Sequence, residues 1–169
     1  PRSTSLAPDT AAPDAVLHGV PVVPGVRYAP VIRPGRLPAL DDLDPGGEVA
    51  ENEREGEASR FVAAAAAVAD RLRERAASAT GVASEVLAAT AQLAQDRAWL
   101  GAAEKRIKEG RPAVRATAEA VAQFVDVFTQ IGGLMAERVT DLRDIRDRVV
   151  AELSGLPEPG VPVPAQPSI

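Results

Sequence analysis

Residues 134–153 read LMAERVTDLRDIRDRVVAEL and carry the clearest helical pattern of the chain. Their apolar side chains recur at steps of three and four residues and therefore line one face of a helix. This stripe consists of Met135, Val139, Leu142, Ile145 (or Arg146), Val149 and Leu153. The charged side chains on the other faces are mostly arginine and aspartate, and arginine favours fixed, bidentate pairing with carboxylates. The pattern fits either a solvated helix with pairs such as Asp144 and Arg148, or a helix that faces a partner.

The composition of the 169 residues predicts one domain with closely approaching helices. Hydrophobic residues make up 46% of the chain but aromatic residues only 3%, so alanine and valine supply much of the core. The net charge of −5 argues against binding to nucleic acid or to an anionic membrane surface. No apolar run approaches the ~20 residues that a membrane span needs, and no signal peptide is visible.

The chain contains no cysteine and a single histidine, His18. Disulfides, thiol nucleophiles and histidine-rich metal sites are therefore excluded. Because His18 stands alone in an extended segment, we interpret it as a surface or strand-edge residue rather than a catalytic one. The only tryptophan, Trp99, fits a buried core position better than the alternative, an anchor for a partner.

Four segments are predicted along the chain. Residues 1–13 form a disordered tail, and residues 14–47 form a strand segment with a turn-rich linker. The strand at 15–33, with a turn at Pro24-Gly25, lacks sheet partners in the rest of the sequence. Residues 48–155 form a helical unit, and residues 156–169 form a proline-rich extended segment.

Glycine, proline and capping residues divide the helical unit. The predicted helices span 48–79, 84–95, 96–110, 112–132 and 134–153, with Asp96 as the N-cap of the third. Short connections favour antiparallel neighbours, so we predict a mainly α, up-and-down bundle of four helices, one of them bent in two. The predicted core consists of Phe61, Val68, Leu72, Leu93, Ile107, Val121, Phe124, Phe128, Leu142, Ile145 and Val149.

Three stretches of the sequence resemble enzyme I of the bacterial sugar phosphotransferase system, phosphoenolpyruvate–protein phosphotransferase. They are HGVPVVPGVRYA at 18–29, the segment from ATAQLAQD at 89–96 to IKEG at 107–110, and ERVTDLRDI at 137–145. The resemblance covers about residues 15–155 and assigns the N-terminal strand to an α/β subdomain. The alanine- and arginine-rich texture is similar to the version from actinobacteria.

The resemblance implies that the helical unit docks the phosphocarrier protein HPr. In that family a neighbouring α/β subdomain carries the histidine that takes phosphate from phosphoenolpyruvate and passes it to HPr. That histidine lies in a Gly-Gly-x-x-Ser-His segment, which this sequence lacks. We therefore expect a cytoplasmic fragment that binds HPr but does not catalyse. The fragment itself is expected to hold no cofactor, whereas full-length members are expected to use Mg²⁺ and to dimerise through a C-terminal domain.

The same resemblance implies a docking site on the bent helix pair and the last helix. Its candidate residues are Thr90, Gln92, Leu93, Asp96, Arg97, Trp99, Met135 and Arg138. Some relatives have a histidine at the position of Thr90 and a methionine at that of Gln92. Acidic positions that flank the turn in relatives are Gly81, Val82, Arg97 and Ala98 here, so the partner's surface is expected to differ with them.

A second class of function is a structural helical bundle that associates with itself. The sequence argues against a coiled coil, because no heptad pattern persists and the helices are interrupted at Gly81, Gly110 and Gly132.

Overall fold

The computed structural model describes residue 31 and the ranges 35–44 and 46–160. The predicted tail, His18 and, apart from residue 31, the strand at 15–33 lie outside these residues, as does the end of the proline-rich segment. The described helices are α1 (Leu40–Leu43), α2 (Arg54–Ser78), α3 (Val82–Ala94), α4 (Arg97–Lys108), α5 (Ala113–Ile131), α6 (Gly133–Glu137) and α7 (Val139–Leu153). The prediction of a mainly α bundle with one bent pair, α3 and α4, is confirmed.

Helix α2 forms the centre of the bundle and packs against α3, α4, α5 and α7. Its buried face follows helical spacing and is rich in alanine, which allows four helices to approach one backbone. The buried residues of α2 are Ala58, Phe61, Ala64, Ala65, Val68, Ala69, Leu72 and Ala76. About half of the buried apolar residues that the structure describes are alanines, as the composition predicted.

Most of the predicted core is buried, and three members are only half-buried. Phe61, Val68, Leu72, Ile107, Val121, Leu142, Ile145 and Val149 have at most 1% of their surface exposed. Leu93, Phe124 and Phe128 instead pack at the edge of the core. The two phenylalanines contact each other edge-to-face, with ring centroids 6.4 Å apart, near the C-terminal end of α5.

Several predicted boundaries were wrong. The first long helix begins at Arg54, after a 3₁₀ turn at Glu51–Glu53, and Pro112 is the N-cap of α5 rather than part of its first turn. The last helix is interrupted at Arg138, whose N–H donates to the carbonyl of Met135, three residues back. Because α6 buries none of its residues, no core contact holds it in line with α7.

The linker before the bundle contains the short helix α1, which the sequence did not predict. Arg115 of α5 holds this segment by donating to Asp41 Oδ1 at 2.9 Å and to the carbonyl of Asp44 at 2.7 Å. The hydrogen bond to Asp41 outweighs desolvation and raises the pKa of Arg115. Before α1, Gly35 pairs with Gly160 in an antiparallel bridge, so the segments that precede and follow the helical unit lie side by side.

Candidate partner-binding surface

Helix α5 is longer than the helix that packs beside it. Helices α4 and α5 pack against each other, are joined by a short turn and contain 12 and 19 residues. Arg106 of α4 donates to Gln123 Oε1 of α5 at 2.8 Å. In an antiparallel pair that starts from a shared turn, about seven residues of α5 extend beyond the N-terminus of α4. The last two turns of α5 therefore lack cover from α4.

Burial along α5 changes at the same point. Its buried residues are Ala113, Val114, Ala116, Thr117, Ala120, Val121 and Val125. Beyond Val125 no residue of α5 is buried, and Val127 and Ile131 are 42% and 65% exposed. The apolar exposure continues into α6, where Leu134 is 76% and Met135 is 42% exposed. We call Val127, Ile131, Leu134 and Met135 the α5–α6 patch.

Helix α3 carries a second exposed apolar feature. Val82 and Val86 are largely exposed, and Leu93 is half-buried. At 3.6 residues per turn these three positions lie within about 40° of one another around the helix axis. We call them the α3 stripe; it ends at the turn that joins α3 to α4.

The two features lie on helices that do not pack side by side. Both α3 and α5 pack on α2 and on α7, but among the described helices α3 makes no extended contact with α5. The free end of α5 and the α3 stripe are thus available to flank an apolar partner segment.

The turn between α3 and α4 has a defined hydrogen-bond pattern. The side chain of Asp96 caps α4 by accepting the N–H of Ala98 at 2.8 Å, which confirms the predicted N-cap. The carbonyl of Leu93 accepts the N–H of Asp96 at 3.1 Å and the indole N–H of Trp99 at 2.9 Å. Trp99 itself is 1% exposed and packs edge-to-face on Phe61, with ring centroids 6.0 Å apart.

The structure divides the eight candidate site residues into two groups. Gln92, Asp96, Arg97, Met135 and Arg138 are exposed, and Leu93 is half-buried. Thr90 and Trp99 are buried, and the hydroxyl of Thr90 donates to the carbonyl of Val86 at 2.9 Å. Neither buried side chain is accessible to a partner, so the interpretation of Trp99 as a core residue is the correct one. The resemblance made Thr90 a candidate through its position in the sequence, but Thr90 lies on the buried side of α3.

Sequence reasoning missed five apolar members of this surface. They are separated from neighbours on the same face by three to seven residues but were not candidates: Val82, Val86, Val127, Ile131 and Leu134. The missing signal was the length difference between α4 and α5, which leaves the end of α5 uncovered.

The exposed charges at this end are mixed in sign. Arg138 lies 3.3 Å from Asp141, with both side chains partly exposed. Arg97 makes no ion pair with any residue that the structure describes. No group of three or more metal-ligating side chains occurs in the described ranges. Charges of both signs thus lie beside the exposed apolar side chains at this end of the bundle.

Comparison with known proteins identifies the family. The family model described as PEP-utilising enzyme, N-terminal, matches residues 18–138. The chain belongs to this family. The match confirms the resemblance and places the helical unit up to Arg138 within a PEP-utilising enzyme N-terminal domain.

Two curated relatives of this PEP-utilising enzyme N-terminal domain are named phosphoenolpyruvate-protein phosphotransferase. The protein from Streptomyces coelicolor is 37% identical over 156 residues, which cover 92% of this chain and 28% of the relative. The protein from Haloferax volcanii is 38% identical over 117 residues, which cover 62% of this chain and 21% of the relative. The chain thus spans about a quarter of the length of the curated relatives that it matches.

Two solved structures share the fold of this PEP-utilising enzyme N-terminal domain. An Enzyme I protein (nEIt) determined by NMR has a TM-score of 0.57 and 25% identity, covering 64% of this chain and 46% of that chain. The N-terminal domain of Enzyme 1 – Nitrogen also has a TM-score of 0.57, with 20% identity, covering 75% of this chain and 57% of that chain. Within the described ranges, every helix is too short or too polar to cross a membrane.

Proposed function

We propose that the helical unit docks the phosphocarrier HPr within a phosphoenolpyruvate–protein phosphotransferase. In the whole protein, phosphate would pass from phosphoenolpyruvate to an enzyme histidine outside this sequence and then to HPr bound here. The proposal places the protein in the cytoplasm and its full-length form in a homodimer. It rests on the family match and on the names of the two curated relatives.

The observation that supports the docking site is the exposed apolar end of α5. Side chains such as Ile131 and Leu134 are expensive to leave in water, and clustered exposed apolar residues mark interaction sites. We infer that the α5–α6 patch and the α3 stripe flank a groove between α3 and α5, since these two helices make no extended contact. An amphipathic helix of the partner fits such a groove through side chains at helical spacing.

The exposed candidates complete the proposed site. Gln92, Asp96 and Arg97 lie at the α3–α4 turn, beside the end of the stripe, and Met135 and Arg138 lie on and after α6. Polar groups of this kind form the rim around an apolar interface and set the on-rate and the orientation of the partner. A phosphocarrier must leave after each transfer, so we expect a small interface with rapid dissociation.

The alternative, a self-associating structural bundle, predicts that the same apolar surface pairs with a second copy. Membership of a family of PEP-utilising enzymes favours HPr as the occupant.

Ile131→Asp tests the proposed site. Ile131 is 65% exposed, so the introduced charge costs the fold little while it blocks burial of the patch. We expect the affinity for HPr to fall by at least about tenfold in titration calorimetry, with an unchanged circular dichroism spectrum. Val62→Asp replaces another exposed β-branched side chain by the same charge, near the start of α2, and should leave the affinity unchanged. Equal affinities for the two variants would remove the α5–α6 patch from the site.

A further inference from the structure

We propose that Trp99 is a positioning residue, which sets the geometry of the docking turn through a hydrogen bond without touching the partner. The proposal rests on the proposed function of the surface around the α3–α4 turn. The side chain of Trp99 is thereby proposed to affect the affinity for HPr although it is buried.

The turn is short and contains two helix ends. Helix α3 ends at Ala94 and α4 begins at Arg97, so only Gln95 and Asp96 separate them. The last carbonyls of a helix have no partner within it and need one from outside. Gln95 donates to the carbonyl of Gln92 at 3.0 Å, which closes the final turn of α3.

The next carbonyl, that of Leu93, receives its second donor from Trp99. The indole Nε1 lies 2.9 Å from this oxygen, and the N–H of Asp96 lies 3.1 Å from it. A buried indole N–H is costly without a partner, so this hydrogen bond is strongly favoured once the ring is in the core. The contact joins the first turn of α4 to the last turn of α3.

The ring of Trp99 connects this turn to the centre of the bundle. It packs edge-to-face on Phe61 of α2, at an interplanar angle of 86°, and both side chains are almost fully buried. An aromatic ring held in this way has one allowed position, and its N–H points in one direction. The relative direction of α3 and α4 is thereby fixed against α2.

The positioned residues are those proposed to meet HPr. Gln92 and Leu93 lie at the end of α3, and Asp96 and Arg97 lie at the start of α4. A rotation of α4 about the turn would therefore move the two pairs apart. Small displacements of this kind weaken an interface that depends on preorganised contacts. Trp99 thus acts on the docking surface through Leu93 and Asp96.

The test compares Trp99→Phe with Ile107→Val. Phenylalanine keeps an aromatic ring against Phe61 but cannot donate to Leu93. Ile107 lies on the same helix, is fully buried and is remote from the turn, so Ile107→Val supplies a comparable loss of core stability without altering the hydrogen bond. For both variants we would measure urea denaturation, amide exchange by NMR and the affinity for HPr.

We expect both variants to be folded and modestly destabilised, and only Trp99→Phe to change the turn. In Trp99→Phe the amides of Asp96 and Ala98 should exchange faster than in the wild type, after correction for the difference in global stability between the two proteins. The variant's dissociation constant for HPr should rise by roughly threefold to tenfold, because binding must then restore the turn geometry that this hydrogen bond fixes in the wild type. Ile107→Val should keep the wild-type values of both quantities.

Two results would overturn the proposal. One is wild-type affinity and wild-type exchange at Asp96 in Trp99→Phe, and the other is an equal loss of affinity in Ile107→Val. If the wild-type protein does not bind HPr, the proposed function fails, and the exchange at Asp96 and Ala98 still decides whether Trp99 fixes the turn.

Discussion

Glu57 Oε1 accepts the backbone N–H of Ala113 at 2.7 Å, which joins the first turn of α2 to the N-terminus of α5. Arg60 holds the same carboxylate through two nitrogens, at 3.1 and 2.7 Å. The N–H groups of the first turn of a helix lack partners within the helix, so the carboxylate serves as a cap supplied from elsewhere in the chain. The contact closes the end of the bundle opposite the proposed docking surface.

This carboxylate makes the stability depend on pH. Desolvation raises the pKa of Glu57, but the hydrogen bonds from Arg60 and from the N–H of Ala113 outweigh it, so the pKa lies below its ordinary value of 4.5. A depressed pKa contributes stability above the pKa of the unfolded chain, and that stability is lost as pH falls through the folded pKa. The free energy of unfolding, measured by urea denaturation, should therefore fall less between pH 7 and pH 3 for Glu57→Gln than for the wild type. Glu55→Gln, at an exposed position in the same turn, should keep the wild-type slope; equal slopes for all three proteins would contradict the account.

Replacement of glycine by alanine should have opposite effects on the free energy of unfolding at Gly110 and at Gly101. Gly110 has a φ of +100°, and a Cβ there would lie 3.0 Å from Nη2 of Arg54. That arginine donates to the carbonyls of Val49 and Lys108, so displacement of its side chain would cost two further contacts. We expect Gly110→Ala to lower the free energy of unfolding by about 1–2 kcal/mol or more.

The matched variant is Gly101→Ala within α4. Its backbone is helical, and no atom lies within 4 Å of an added Cβ, so alanine should raise the free energy of unfolding by about 0.5–1 kcal/mol. Thermal denaturation of the two variants provides the measurement. A stabilised Gly110→Ala variant would show that the turn after α4 tolerates a side chain.

Glu158 attaches the chain beyond α7 to two helices. Its carboxylate accepts two hydrogen bonds from Arg75 of α2, at 2.9 and 2.6 Å, and another from Arg148 of α7. Only 18% of its side chain is exposed, so solvent screens these contacts less than those of a surface pair. Glu158→Ala should lower the free energy of unfolding by about 1–3 kcal/mol and accelerate amide exchange at Gly35, which donates to the carbonyl of Gly160.

An exposed ion pair on α2 provides the control for Glu158. Asp70 pairs with Arg73, and the two side chains are 66% and 48% exposed. Asp70→Ala should change the free energy of unfolding by less than about 0.5 kcal/mol. If the two variants lost equal stability, the network around Glu158 would be no stronger than a surface ion pair.

Arg138→Glu tests the rim of the proposed docking surface. Arg138 lies between α6 and α7 and is exposed, and its one ion pair with a described residue is a 3.3 Å contact with Asp141. Charge reversal should weaken HPr binding by roughly fivefold or more with little loss of helicity. Arg143→Glu, exposed on a different face of α7, should bind like the wild type. An unchanged affinity for Arg138→Glu would remove this residue from the site.

The order and approximate length of the five longer helices, α2, α3, α4, α5 and α7, were accessible from the sequence because each signal is local. Asp96 is an N-cap through its own side chain, and Gly132, with a φ of +73°, ends α5 through its own backbone freedom. Asp144 and Arg148 pair at 2.6 Å, as the spacing of four residues predicted.

The exposure of individual site residues was not accessible, because it depends on which helices pack together. Thr90 and Gln92 are two residues apart on α3, yet only Thr90 is buried. The exposed end of α5 follows from the lengths of two helices and from the absence of extended packing between α3 and α5. The break at Arg138 likewise reflects missing core contacts for α6, which an apolar stripe that includes Met135 did not reveal.

An NMR titration of the isotopically labelled chain with HPr from a related bacterium tests the proposed function most directly. We predict shift changes confined to residues 82–97 and 127–138, with fast exchange between the free and bound states. Changes spread over the opposite end of the bundle, around Glu57 and Gly110, or no changes at millimolar HPr, would contradict the proposed docking surface.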